Sequence, residues 1–468
     1  MFLEKNYIRI ILKCLYFGIS VLLLSSIAFY NRFPLLYPDS GNYLTNSISL
    51  TPSVDKVIGY SFFIRIVSWQ ATTWTIVLFQ NLIISYLIFR FLGLFFSNKK
   101  LYIYHFISLM ILLFFSSLCW FSCQIMPDIF TPVLIILFIV FLNQKKLNHV
   151  DFAIYILLVF LCLITHMSNV FLLLMLLISM FIVIVIKKPE PAVFIKIKIR
   201  SLILFITAVM SVLFIMTYNY SHGRGFKTLG SSNILLTAKF NNTGLLKMYL
   251  DDICLSNEEC VLCKYKDSLP ASSDEFLWSN RSPLYDYQEP LEVNKPWMKA
   301  NEKYAPVVKG IILTPKYYPK IFKDIIKYTG LQLVSFKIGT GKIPFGINSA
   351  PYYPIRDHFE NELPSFFKSL QNTGELKFGI FEFLVSITFI LSLIIIIIGV
   401  FLIKQNYLLR FASVVIMVSL LYNAFITSTL SVVEDRYQSR IIWLIPLLAI
   451  IYTIKIIEKI KESKRITN

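Results

Sequence analysis

Ten apolar runs leave this chain few folds to choose from. They lie near residues 10–30, 73–96, 102–119, 127–142, 151–166, 169–186, 201–218, 379–403, 407–429 and 441–457. A helix rises about 1.5 Å per residue and the hydrocarbon of a bilayer is about 30 Å thick, so runs of this length read as membrane-crossing helices. Of the 468 residues, 56% are hydrophobic and 16% aromatic, more than a soluble globular chain carries without precipitating. The expected fold is an all-α polytopic membrane protein with about ten transmembrane helices.

The basic residues give this bundle a direction. Lys5, Arg9 and Lys13 precede or open the first run, and Lys99 and Lys100, Lys145 and Lys146, then Lys187, Lys188, Lys196, Lys198 and Arg200 lie in every second connection. Lys404 and the tail from Lys455 to Arg465 continue the pattern. With the N-terminus inside, every cluster falls on the cytoplasmic side. Topology therefore accounts for the formal charge of +18, and the expected partner is the lipid bilayer, with no nucleic acid. Residues 1–218 form the expected transmembrane module, with a first outer loop at 31–72. Residues 219–378 form an extracytoplasmic domain of mixed structure between the seventh and eighth spans, and residues 379–468 supply the last spans and a cytoplasmic tail. The first run is too long for a signal-peptide core, and Ser25-Ser26-Ile27-Ala28 is a poor cleavage site, so it reads as retained. Abundant Ile, Lys, Asn and Phe fit an AT-rich bacterial genome, and hence a bacterial inner membrane.

This topology gathers ionisable residues on the outer side. Asp39, in Tyr37-Pro38-Asp39-Ser40-Gly41-Asn42-Tyr43, follows the first run by about ten residues; Asp128 opens the fourth run, His166 ends the fifth, and Glu434, Asp435, Arg436, Tyr437 and Arg440 fill the last outer loop. Charges at membrane depth are costly and tend to face a cavity or a partner, which points to a site there. Plainer readings exist for single members: Asp128 as a helix cap, Arg436 and Arg440 as headgroup anchors, His166 as part of a turn. Ser221-His222-Gly223-Arg224-Gly225-Phe226-Lys227 is a second anion candidate, because two glycines let the backbone approach a phosphate while Arg224 and Lys227 supply charge; otherwise it simply ends a helix.

The first outer loop with its carboxylate, the following Val57-Ile58-Gly59-Tyr60-Ser61-Phe62-Phe63 and the late Glu434-Asp435-Arg436-Tyr437 resemble the GT-C superfamily of integral-membrane glycosyltransferases, which includes enzymes akin to dolichyl-phosphate-mannose mannosyltransferases and aminoarabinose transferases. The likeness covers chiefly residues 1–220 and 379–457. It implies a polyprenyl-phosphate-linked sugar as donor and a glycan, lipid or protein as acceptor. Many relatives carry Asp-Glu where this chain has Asp39-Ser40. On chemical grounds Asp39 suits the general base. Arg436 and Arg440 suit the donor phosphate, Tyr437 can stack or donate a hydrogen bond, and Arg224 with Lys227 is a second phosphate candidate. Tyr43, Asp128, His166 and Glu434 are further site candidates. No cofactor is expected, and a divalent metal is not indicated.

Cys254, Cys260 and Cys263 lie on the oxidising side in this topology, so one disulfide among them is expected, with the pair left open. Thr314-Pro315 opens a helix on which Lys316, Lys320, Lys323 and Lys327 share one face, suited to the outer leaflet or to packing on the outer domain. The Gly-, Pro- and aromatic-rich stretch 337–378 reads as a loop over the site. No Walker A loop, Rossmann glycine pattern, His-Glu-x-x-His or GxSxG is present, which removes support for ATP-driven transport and soluble-type hydrolases. The alternatives to a glycosyltransferase are a lipid-linked glycan transporter, a non-catalytic assembly partner and a glycan polymerase.

Overall fold

A computed structural model of the chain describes residues 2–187, 190–254, 260–287 and 295–467. Lys188, one of the cations used to orient the bundle, lies outside the described residues. Regular structure among the described residues is helical, apart from an isolated parallel bridge between Leu35 and Gln124. Helices suit a lipid environment because each satisfies its own backbone hydrogen bonds. Six are long and apolar enough to cross a membrane: Trp74–Leu92, Met167–Ile186, Pro191–Ser221, Gly379–Leu402, Tyr407–Leu430 and Asp435–Arg465. Four shorter apolar helices, Ile10–Leu24, Lys100–Phe115, Pro127–Asn143 and His149–Thr165, occupy the remaining runs.

Burial sorts these helices. Every residue from Phe130 to Leu142 is buried, as befits a helix apolar on all faces at the centre of a bundle. The first helix instead exposes Ile11, Leu15, Ile19 and Leu22, a face suited to lipid. Side-chain bonds tie the helix ends into two groups. At one end Arg90 Nη2 meets Asp151 at 2.6 Å, Arg200 donates to the carbonyls of Phe141, Leu142 and Gln144, and Lys459 reaches the Leu402 carbonyl. At the other end Leu35 exchanges backbone bonds with Cys123 and Ile125, Ser117 donates to the Ser439 carbonyl, and Tyr218 donates to that of Leu50. Asp39, Asp128, His166, Arg436 and Arg440 belong to this second end.

The segment 219–378 departs from the expected mixed structure, since its described regular elements are helices. It also divides in two. Residues 232–317 build a separate apolar core around Leu246, Phe276, Tyr304 and Ile311, whereas Ile338, Phe345, Ile355, Phe359 and Phe366 join the main core of the bundle. The stretch 337–378 is therefore packed onto the first outer loop. Gln371 accepts from Leu36 N at 3.0 Å and donates to the carbonyls of Leu36 and Ile343, and Glu362 accepts the Thr73 amide and the hydroxyls of Thr72 and Thr73 at the start of Trp74–Leu92.

The helix opened by Pro315 runs Tyr318–Val334 after one 3-10 turn. It packs along Tyr407–Leu430, with Thr329 facing Ser428 at 3.3 Å and Gln332 exchanging two bonds with the backbone of Glu434. Phe322, Ile326 and Val334 remain exposed beside Lys323 and Lys327, so the apolar and basic residues share one open face instead of occupying separate ones. The disulfide joins Cys254 to Cys263 and leaves Cys260 as a free thiol.

Two glycines measure how tightly the first outer loop is held. A Cβ on Gly41 would stand 2.2 Å from the Ala350 carbonyl oxygen, and Gly341, at φ +75°, lies against the Tyr37 ring. Overpacking of this kind costs about 1–3 kcal/mol. Gly41→Ala is thus expected to lower the thermal midpoint of the purified protein, while Gly18→Ala, where nothing lies within 4 Å, leaves it unchanged or raises it; size-exclusion thermostability scans check both.

Candidate functional site

A tight turn sets the position of Asp39. Ser40 N donates to the Tyr37 carbonyl at 2.9 Å, Ser40 Oγ accepts from Tyr37 N at 2.9 Å, and the same hydroxyl donates to the Ile125 carbonyl at 2.8 Å. Ser40 is fully buried, so a second acid there would have neither the room nor these bonds. Asp39 occupies the N-cap position of the helix Ser40–Ser49 but makes no capping bond through its side chain.

The carboxylate bridges two cations instead. Oδ1 lies 3.2 Å from Lys56 Nζ and Oδ2 lies 3.3 Å from Arg436 Nη1, with the Asp39 side chain keeping 28% exposure, enough for a solute to reach it. Burial raises the Asp39 carboxyl, yet Lys56 and Arg436 outweigh it and hold the group below its usual range. Burial opposes the Lys56 charge, but Asp39 and Asp55 raise its pKa above the ordinary value; Asp55 Oδ2 sits 2.6 Å from its Nζ. Tyr43, one turn beyond Asp39, is buried edge-on against Tyr60 at 5.1 Å, and Tyr60 donates to Gln80.

A second charged pair lies deeper. Arg440 is fully buried, with Nη1 3.1 Å from Asp128 Oδ1 and Nη2 2.9 Å from Asn423 Oδ1 and 3.5 Å from Ser168 Oγ. The Asp128 carboxylate thus faces an arginine from within its turn Pro127–Ile129. Tyr437 joins the two levels, its ring 4.9 Å from the Arg436 guanidinium and 5.4 Å from that of Arg440, while the Tyr37 ring carries Arg436 at 4.3 Å. His166 Nδ1 accepts from Ser168 N at 3.2 Å and lies 2.7 Å from Ser168 Oγ. Burial, and then Arg440, push its pKa down to about 3, so the ring is neutral.

The cluster is short of acceptors. Nε of Arg436 and Nε of Arg440 are buried without a protein partner, and each such orphan donor costs about 1–3 kcal/mol. Donors of this kind suit an anion. Arg436, at 14% exposure and with its Nη1 on the open carboxylate of Asp39, is the arginine an incoming anion meets first. Arg440 lies deeper, its Nη1 and Nη2 held by Asp128, Asn423 and Ser168, so that only its Nε is unpaired.

The remaining expected residues lie around this centre. Gly223 and Gly225 turn at φ +71° and +76°, and Gly230 N and Ser231 Oγ both bond the Val54 carbonyl, which sets this loop beside Asp55 and Lys56. Arg224 is influenced by Asp55 and has a buried Nη1 without a partner. Lys227 points away, 3.6 Å from Glu302. Burial raises the Glu434 carboxyl, with Arg436 opposing. Sequence reasoning passed over Asp55, Lys56, Asn423 and Lys342. Only Asp55 and Lys56 carried a signal, their place immediately before Val57-Ile58-Gly59-Tyr60.

No protein-family model, curated protein or solved structure matches this chain.

Removing one member of a buried ion pair leaves the other charge uncompensated, which costs about 3–5 kcal/mol. Asp128→Asn and Arg440→Met are each expected to lower the thermal midpoint sharply, and the double variant to melt above the sum of the single losses. Thermal unfolding of the four proteins in one detergent checks the coupling.

Proposed function

We propose that this chain is a membrane glycosyltransferase that moves a sugar from a polyprenyl-phosphate donor to an extracytoplasmic acceptor, with Asp39 as general base. In this reading ten helices cross a bacterial inner membrane, both termini are cytoplasmic, and the charged cluster faces outward. The observation that carries it is the meeting of Asp39 and Arg436 at 3.3 Å from positions 397 residues apart. The contact assembles a reachable carboxylate and an under-satisfied guanidinium at the end of an apolar bundle, where the phosphate of a lipid whose tail stays in the bilayer would lie.

The chemistry follows from those groups. The acceptor hydroxyl gives its proton to Asp39 as its oxygen bonds to the anomeric carbon; the bond from that carbon to the phosphate oxygen breaks, and its electron pair leaves with the polyprenyl phosphate. Arg436 and Lys56 stabilise the charge that grows on the leaving phosphate. Without donor, these two cations hold the Asp39 carboxyl below its usual range, which makes it a weak base. A phosphate that shares them releases the carboxylate, so base strength develops only with donor bound. Arg440 and Asp128 set the height and tilt of the helix Asp435–Ile442 and so position Arg436. Ser40 locks the turn and leaves Asp39 as its single carboxylate, sufficient for an inverting transfer from a donor whose leaving group is a phosphate. A carrier transporter or assembly partner would use the same cations without Asp39 as a base, and a polymerase would take a lipid-linked glycan as acceptor.

The test is mass spectrometry of cell-envelope glycans and lipid-linked glycans from cells carrying wild type, a deletion or Asp39→Asn at equal membrane abundance. Loss of a general base costs roughly 10²–10⁴ in rate. The deletion and Asp39→Asn should therefore both lack one sugar mass that wild type restores. A deletion phenotype with Asp39→Asn indistinguishable from wild type would overturn the assignment and favour the transporter or partner.

A further inference from the structure

Lys342 is buried at 5% exposure in the stretch that covers the first outer loop. Its Nζ donates to the Ile338 carbonyl at 2.6 Å and lies 4.6 Å from the centre of the Phe121 ring. No carboxylate pairs with it at ion-pair distance among the described residues. The backbone around it is fixed on the charged cluster from three sides: Gly341 abuts the Tyr37 ring that carries Arg436, Thr340 Oγ1 donates to Asp435 at 2.7 Å, and the Lys337 carbonyl accepts from Ser439. The amine thus lies in a stretch that borders the cluster, and the Ile338 carbonyl uses one of its donors.

We propose that Lys342 is a further anion-binding residue of this site, held against Phe121 and the Ile338 carbonyl until a phosphodiester enters and then drawn onto its oxygens. This rests on reading the cluster as a phosphate site. The charged groups that act on Lys342 come from three neighbouring elements: Asp128 in its turn, Arg436 in the helix Asp435–Ile442 and Glu382 in Gly379–Leu402; the element that carries Phe121 adds none. Burial, opposed by Asp128, pushes the amine down to about 7. At mildly alkaline pH the side chain is thus largely neutral unless an anion is beside it, which avoids a buried unpaired charge. An anion reverses that preference, and Lys342 takes one proton from solvent as the phosphodiester binds.

The probe is geranyl methyl phosphate, a phosphodiester that does not itself titrate near neutrality, with geraniol as the uncharged control. Isothermal titration of the full chain in nanodiscs, at pH 8 in buffers of different ionisation enthalpy, counts the protons taken up. Wild type should bind the phosphodiester and not geraniol, with a net proton uptake at pH 8, since an amine held down to about 7 is mostly neutral there and gains its proton when the anion binds. Lys342→Arg should keep the affinity and lose the uptake; Lys342→Met should lose the uptake and bind about tenfold more weakly. Binding without uptake in wild type, or uptake that persists in Lys342→Met, would overturn the role of Lys342 and leave the phosphate site standing. Failure of wild type to bind, or equal binding of geraniol, would overturn both. A merely structural lysine would give binding with no proton inventory, whatever Lys342→Met does to stability.

Discussion

A buried arginine governs this end of the molecule. Arg440 is wholly removed from solvent, and a guanidinium in so apolar a bundle persists only with its charge paired and its N–H groups largely bonded. Asp128 supplies the pairing at 3.1 Å, Asn423 and Ser168 supply further acceptors, and three separate helical elements are thereby drawn to one point. The exposed level above inherits its geometry from that requirement. Arg436 lies one helical turn from Arg440 and shares the Tyr437 ring with it, so fixing the deep arginine also fixes where the outer one meets Asp39.

The upper level has a different balance. Asp39 is held between Lys56 and Arg436, while two guanidinium Nε atoms lack partners. Unfilled donors on charged guanidinium groups are ones that an anion would satisfy. The loop 337–378 closes this place from the side through Gly341 on Tyr37 and Gln371 on Leu36, a contact so close that the loop belongs to the bundle core. The described residues between 232 and 317 form an apolar core of their own.

What the sequence reveals follows from what is local. Run length and hydropathy are properties of adjacent residues, so the apolar runs fall on helices, six of which among the described residues are long and apolar enough to cross a membrane. Asp39, Asp128, His166, Arg436 and Arg440, which the sequence sets near run ends, lie at one end of the bundle. The division of labour between the two arginines was not legible, because it depends on depth, and depth is set by the register of Asp435–Ile442 against Asp128. Lys342 had no signal: it sits in a Gly-Pro-aromatic stretch with a loop's composition, and only long-range packing on Tyr37 brings it to the charges. The same absence of long-range information left the disulfide pairing open and suggested mixed structure for short helices whose apolar faces are satisfied by one another. Ser40 carried no sign in the sequence of the two bonds that its hydroxyl makes, to Tyr37 and Ile125.

Native mass spectrometry of the protein released from its own membranes in a mild detergent tests the central claim most directly, because it asks whether the charged cluster holds a lipid phosphate. Wild type should carry a co-purifying polyprenyl phosphate, free or sugar-linked, that Arg436→Gln loses while ordinary phospholipid adducts stay the same. Equal lipid occupancy in wild type and Arg436→Gln, or an absence of any polyprenyl phosphate from wild type, would contradict the account.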